Sequence, residues 1–190
     1  MQNRQQNKIT INAGHWRSRV ITFPSVTGLR PTPNRVRETL FNWLGQRLNG
    51  QTCLDAFAGS GALGFEAASR GASRVVMCES NKDAAASLTE NCNRLEANNV
   101  ATIEIIKRDV FTYLPTQQMR FDVVFCDPPF TANLHGPFLG LIQPFLAENA
   151  RVYWESAIGL DCDSTTLKDY EVLKTSRAGA VYFGLLQSRR

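Results

Sequence analysis

The chain has 190 residues, 43% of them hydrophobic, enough to bury a sizeable core within one globular unit. Its opening, MQNRQQNKIT, is polar and carries no apolar stretch of the secretory kind, and no run approaches the ~18 apolar residues of a membrane span, so a cytoplasmic protein is expected. The net charge of +4 is uneven: residues 1–40 hold seven Lys and Arg against the single acid Glu38, a balance of +6, and the rest of the chain comes to −2. A basic segment on a nearly neutral body reads either as the footprint of a protein that meets a polyanion or as a solvated arm.

In chain order, KITINA (8–13) and RVITF (19–23) alternate apolar and polar residues around GHWRS, which predicts a short hairpin turning at Gly14. A helix follows over 34–48, with Val36, Leu40, Phe41, Leu44 and Leu48 at helical spacing, Thr32 available as its cap and Pro33 suited to its first turn. From Thr52 onward short apolar runs alternate with amphipathic segments: TCLDAF and a helix over 62–70, RVVMCE and a helix over 81–98, TIEIIKRD, then FDVVFCD and a helix over 136–147, then ARVYWES. Such β-α-β-α alternation, with continuous Val, Ile, Leu and Phe runs, predicts a parallel sheet buried on both faces. YEVLKTSRAGAVYFGLLQ reads as two strands about Ala178 and Gly179 that close the sheet as an antiparallel pair. Cys53, Cys78, Cys92, Cys126 and Cys162 form an odd set without a CxxC pair and read as reduced, buried small hydrophobes. His15 and His135 are far from them in sequence, so no metal is expected.

The first strand-to-helix junction, LDAFAGSGALGFEAASRG, places Gly59, Gly61 and Gly64 in a G-x-G-x-x-G pattern, and Glu79 ends the next strand twenty residues after Gly59. That spacing fits a dinucleotide site. Asp55 argues against one: a pyrophosphate lies at the helix N-terminus, and a carboxylate four residues before Gly59 would repel it. S-adenosylmethionine carries no phosphate but has an ammonium, a sulfonium, a ribose and an adenine, so the same acid attracts it. Gly59 and Gly61 then allow close approach, with Phe57 in the same loop, and Glu79 suits the ribose hydroxyls. Asp109 is placed either to accept from the adenine amino group, with Val110 as an apolar neighbour, or to cap a helix.

FDVVFCDPPF (121–130) ends a buried strand on an acid, two prolines and a phenyl ring. Consecutive prolines hold the backbone extended and stiff, so the Asp127 carboxylate and a nearby carbonyl can face one small volume, with Pro128 fixing the corner and Phe130 as a wall. Two acceptors aimed at one point suit an exocyclic amine on a planar heterocycle, and an aromatic wall suits stacking on that ring. Methyl transfer would then be mainly in-line positioning, with Asp127 stabilising charge that develops on nitrogen.

In LRPTPNRVRETLFNWL (29–44), LDAFAGSGALGFEAASRGA (54–72), Glu79 and DPPF (127–130) the chain resembles the bacterial small-subunit (16S) ribosomal RNA guanine-N2 methyltransferase family, RsmD-type. The resemblance runs through most of the chain, although INAGHWRSR stands where the family pattern is richer in glycine. It implies a Rossmann-like class I methyltransferase fold, S-adenosylmethionine as donor, no metal, and a guanine N2 of 16S rRNA as acceptor, met within the 30S subunit or an assembly intermediate. A single methyltransferase domain is expected, acting as a monomer, with residues 1–32 as a basic hairpin extension and 33–190 as the core. Arg17, Arg19, Arg35 and Arg37 would neutralise phosphates around a splayed-out nucleotide, with His15 and Trp16 available for stacking. Arg30 and Thr32 could instead close over the cofactor, and Arg35 and Arg37 could simply form a solvated helix face. Alternatives from the residues alone are an adenine-N6 methyltransferase of DNA or another RNA, an NAD-linked oxidoreductase, and a non-catalytic RNA-binding module.

Overall fold

The computed structural model describes residues 6–26, 29–129, 132–159 and 167–189. Two strands, β1 (Gln6–Thr10) and β2 (Val20–Pro24), pair antiparallel from Gln6 opposite Pro24 to Thr10 opposite Val20. The hairpin is therefore present, but its connection is longer than a tight turn: beyond the last ladder pair the Ile11 amide donates to the Arg19 carbonyl and the Ser18 amide to the Ile11 carbonyl, and Gly14 bends at φ 81°.

Seven further strands form one sheet in the order β5-β4-β3-β6-β7-β9-β8. They are β3 (Thr52–Asp55), β4 (Arg74–Cys78), β5 (Thr102–Ile106), β6 (Phe121–Cys126), β7 (Leu146–Ser156), β8 (Tyr170–Ala178) and β9 (Val181–Ser188). Strands β3 to β7 are parallel, and β9 runs antiparallel between β7 and β8, so the expected C-terminal pair is reached with its second strand inserted and its first at the edge. The chain winds outward from β3 through β4 to β5, then returns to the other side of β3 as β6. Such a reversal of strand order opens a crevice at the carboxyl ends of the strands, here between β3 and β6.

Odd and even strand residues serve two separate cores. Cys53, Val75, Met77, Val123, Phe125 and Tyr153 face the hairpin and the helices α1 (Asn34–Trp43), α2 (Ala62–Ser69) and α3 (Lys82–Arg94). Leu54, Val76, Cys78, Val124, Cys126 and Trp154 face α4 (Val110–Tyr113) and α5 (His135–Ile142). Burial on both faces accounts for the unbroken apolar runs of β3, β4 and β6.

The helices are shorter than their apolar periodicity predicts. α1 stops at Trp43 because Gly45 and Gln46 adopt φ 86° and 65°, and Leu48 reaches the core from beyond that break. α3 stops at Arg94, and 97–99 continue as a single 3₁₀ turn. The hydroxyl of Thr32 does not cap α1: Pro33 occupies the cap position without a side-chain bond, and Thr32 points elsewhere. Cys53, Cys78 and Cys126 are buried free thiols and Cys92 is half-buried, while Cys162 lies outside the described residues.

Candidate active site

β3 delivers Asp55, 2% exposed, to the carboxyl edge of the sheet, and the chain then bends through Gly59 (φ 50°) and Gly61 (φ 79°) into α2. Only glycine fits at Gly61, where a Cβ would stand 2.6 Å from Leu88 Cδ2 and 2.7 Å from the Phe65 ring. Gly64 brings α2 down onto β4, since a Cβ there would lie 2.5 Å from Met77 Cε.

The N-terminus of α2 is already occupied by side chains from its own bend. Asp55 Oδ2 accepts from the Gly64 amide at 2.9 Å, and Ser60 Oγ accepts from the Ala62 amide at 3.3 Å. Free first-turn amides are what make a helix N-terminus bind phosphate, so this end is poorly suited to a pyrophosphate and well suited to a ligand that brings positive charge to Asp55. Burial pushes the Asp55 carboxyl up to about 7; the Gly64 amide opposes this and the charge of Glu79 adds to it.

Glu79 ties two loops together. Its Oε2 accepts from the Gly59 amide at 2.8 Å and its Oε1 from the Asn81 amide at 2.7 Å, while Asn81 in turn caps α3. Oε2 therefore stands at the glycine bend and Oε1 at the loop that follows β4, and each retains lone-pair capacity. Asp109 caps α4 through the Phe111 amide at 2.7 Å, so the capping alternative is realised, on an exposed side chain. Val110 turns inward and is buried in the second core, so its side chain is not an exposed apolar neighbour for a ring. Phe57 is half-buried, edge-on to Phe138 with ring centroids 5.4 Å apart.

One strand away, Asp127 follows β6 directly, half-buried, and accepts at Oδ2 from the Thr32 hydroxyl at 3.2 Å. Leu29 lies over the glycine bend, its Cγ 3.7 Å from where a Cβ on Gly59 would be. The segment 29–32 thus crosses the carboxyl edge of the sheet from the bend to Asp127, with Arg30 exposed between these two contacts. Pro128 is buried and Pro129 exposed; Phe130 lies outside the described residues. Burial raises Asp127 well above the usual carboxylate range, the charge of Glu155 adds to this, and the Thr32 hydroxyl works against it.

Glu155 was not singled out by the sequence reading. It stands near the end of β7, 4% exposed, and accepts from the Tyr153 hydroxyl at 2.5 Å. His135 donates from Nε2 to the Glu155 carbonyl at 2.7 Å, and burial lowers its pKa. The signal was available in ARVYWES, where an acid interrupts an apolar strand beside the strand that ends in Asp127.

Arg17 and Arg19 belong to a different part of the molecule from the Arg30–Thr32 segment. The hairpin connection is fastened to the far end of α2: His15 N bonds Ser69 O at 2.7 Å, Trp16 N bonds Ser69 Oγ at 2.9 Å, and a Cβ on Gly14 would lie 1.8 Å from Ser69 O. Eight helical residues, about 12 Å of rise, separate that end from the glycine bend. Arg17, Arg19 and His15 are exposed there, and Arg19 donates to the Arg94 carbonyl. Trp16 is 2% exposed and belongs to the core, so it is not available for stacking on a base. Arg37, likewise, is neither a phosphate contact nor part of a solvated face: it is 3% exposed and bonds Glu66, Asn34 and the Thr10 carbonyl, because the face of α1 that carries it is covered by the hairpin. Arg35 is exposed on the same helix.

Among the described residues no group of three or more His, Cys, Asp or Glu is arranged to hold a metal, and no helix is long and apolar enough to cross a membrane. The sheet order, the reversal at β3 and the acid-lined glycine bend define a class I methyltransferase fold. A family model described as Conserved hypothetical protein 95 matches residues 9–187. The chain is 39% identical to ribosomal RNA small subunit methyltransferase D of Haemophilus influenzae, over 96% of this chain and 95% of that one. It is 36% identical to the enzyme of the same name from Escherichia coli K12, over 95% and 90%. A solved structure described as the putative methyltransferase yhhF from Escherichia coli superposes with a TM-score of 0.83 at 33% identity, covering 96% of this chain and 98% of that one. The chain belongs to the family of the ribosomal RNA small subunit methyltransferases D.

Proposed function

We propose that the protein transfers a methyl group from S-adenosylmethionine to the exocyclic N2 amine of a guanine in 16S ribosomal RNA, presented by the 30S subunit or an assembly intermediate, and that it acts as a cytoplasmic monomer. The observation that carries this reading is the pairing of two neighbouring strand ends. β3 offers a bend whose helix amides are taken by Asp55 and Ser60, and β6 offers Asp127 on a proline corner beside it. Relatives named as small-subunit rRNA methyltransferases support the choice of RNA.

The residues present fit the donor. Asp55 would face its ammonium and Glu79 its ribose, with Gly59 and Gly61 leaving room for close approach, and Arg30 and Thr32 would close over it. Once bound, that cofactor supplies a methyl group activated by a sulfonium. Asp127 and a main-chain carbonyl of the proline corner accept the two amine hydrogens, which localises the nitrogen lone pair and aims it at the methyl carbon. Most of the rate would then come from orientation and from a carboxylate facing the nitrogen as it becomes positive, and the extra proton on that nitrogen would pass to Asp127 or to water.

Tritium transfer from labelled S-adenosylmethionine to small-subunit rRNA or assembling particles is the direct test, followed by nucleoside analysis. N2-methylguanosine is the expected product; N6-methyladenosine would overturn the guanine assignment, and no incorporation by protein that binds S-adenosylhomocysteine would overturn the activity. Asp127→Ala is expected to lose ~100-fold or more in turnover while retaining cofactor affinity.

A further inference from the structure

Cys126 of β6 is in register with Trp154 of β7, so Asp127 and Glu155 are the next residues along two neighbouring parallel strands. Neighbouring strands lie about 4.8 Å apart and residues in register point to the same face. Carried one residue beyond that last pair, the register puts the two carboxyl groups on the face of Phe125 and Tyr153, and the Glu155 charge acts on Asp127. Each is held by a neutral hydroxyl, Asp127 by Thr32 and Glu155 by Tyr153. Among the described residues no cation is bonded to either. The other groups facing the pair do not compensate: Asp55 on β3 is a third acid, His135 on α5 is engaged with the Glu155 carbonyl and not its carboxyl, and β9 brings Phe183 opposite Glu155. Two like charges so placed in a desolvated site do not both ionise without large cost.

We propose that Glu155 is a positioning residue for Asp127: the two carboxyl groups share one proton, and Glu155, while it carries that proton, donates it in a hydrogen bond that holds the Asp127 carboxylate in the orientation that grips the substrate amine. Tyr153 holds Oε2 of Glu155 as an acceptor, which leaves Oε1 as the oxygen to carry the proton. Burial raises both acids, in keeping with a retained proton. The inference rests on the role given to Asp127 under Proposed function. It adds a second acid to that site, whose proton is an orienting group and not one that is transferred.

The test compares Glu155→Leu, which cannot donate, with Glu155→Gln, whose amide donates at every pH, using tritiated S-adenosylmethionine and saturating small-subunit particles. Glu155→Leu is expected to lower kcat by on the order of 10–100-fold with little change in the KM for S-adenosylmethionine. Glu155→Gln is expected to recover most of that loss. Wild type should lose rate at alkaline pH as the pair gives up its shared proton, and Glu155→Gln should not show that limb. Binding of S-adenosylhomocysteine establishes that each variant is folded. A folded Glu155→Leu protein with wild-type kcat and pH profile overturns the inference, as does a folded Glu155→Gln protein no better than Glu155→Leu. Asp127→Asn serves as control: if it loses turnover and Glu155→Leu does not, this inference alone falls, and if Asp127→Asn turns over normally the reading of the site falls with it.

Discussion

Buried carboxylates occur at both ends of α2, and they are treated in opposite ways. At the C-terminal end Glu66, fully buried, accepts from the amides of Asn12 and Ala13, from the Arg37 guanidinium at 3.4 Å and from the Arg70 guanidinium at 2.8 Å. Its charge is balanced within the chain, and the balance fastens the hairpin to α1 and α2. At the other end buried Asp55, and beyond it half-buried Asp127 after β6 and buried Glu155 on β7, have, among the described residues, an amide, an alcohol and a phenol as bonded partners, none of them cationic. A buried acid without a countercharge costs folding energy, and a fold keeps it where a ligand supplies what the chain does not. The contrast separates an acid whose partners are guanidiniums from acids bonded only to neutral groups.

The sharpest way to break the contrast is to remove Glu66. Glu66→Ala strands two buried guanidiniums and two amides, and a loss of about 3–5 kcal/mol is expected, lowering Tm by on the order of 10 °C in a thermal melt. Glu66→Gln should fall between it and wild type, and a Glu66→Ala protein as stable as wild type would show that the network balances no charge.

Asp55→Asn should behave differently. Because its folded pKa, about 7, is raised above the unfolded value, Asp55 favours folding less and less as pH rises from about 4 to about 7. Urea unfolding at several pH values should show wild type losing on the order of a few kcal/mol across that window from this group, and the Asn variant losing correspondingly less. The same variant should bind S-adenosylhomocysteine about 10–100-fold more weakly by calorimetry, since the ammonium loses its acid. Unchanged affinity would remove Asp55 from the cofactor site.

Smaller effects come from packing and from the surface. Gly64→Ala must push Met77 aside, and because a methionine side chain is flexible, about 1–3 kcal/mol of destabilisation is expected in the same unfolding assay. Replacing Arg17 and Arg19 together by Ala should change stability by no more than about 0.5 kcal/mol, leave cofactor affinity intact, and lower the salt dependence of RNA binding by about two in slope. An unchanged slope would make the hairpin turn a solvated surface.

Where burial on two faces wrote itself into composition, the sequence was easy to read: the runs of β3, β4 and β6 gave the parallel sheet, and the glycine spacing gave the bend. The insertion of β9 between β7 and β8 left no such trace, because strand order depends on pairing between distant segments and not on local pattern. Arg37 and Trp16 were misjudged for one reason. Both lie in a basic segment that reads as surface until the hairpin folds back on α1 and α2 and covers them. Glu66, in GFEAAS, looks like an ordinary exposed helix acid, and only the approach of chain 12–13 from more than fifty residues away makes it central. That Asp55, Glu79 and Asp127 come to the carboxyl edge of the sheet was legible because each ends an apolar strand run, and Glu155 satisfies the same rule in a strand that the motifs did not mark.

The two ends of α2 also act as a fixed gauge. Its eight residues, about 12 Å of rise, separate Ser69, where the hairpin connection is fastened, from the glycine bend, and along a stacked nucleic-acid strand that is three to four nucleotide steps. If the proposed RNA substrate is held by the arginines of that connection, it must run on from the reacting base for several nucleotides, and a free nucleotide or dinucleotide is expected to engage the chemistry while forfeiting the grip.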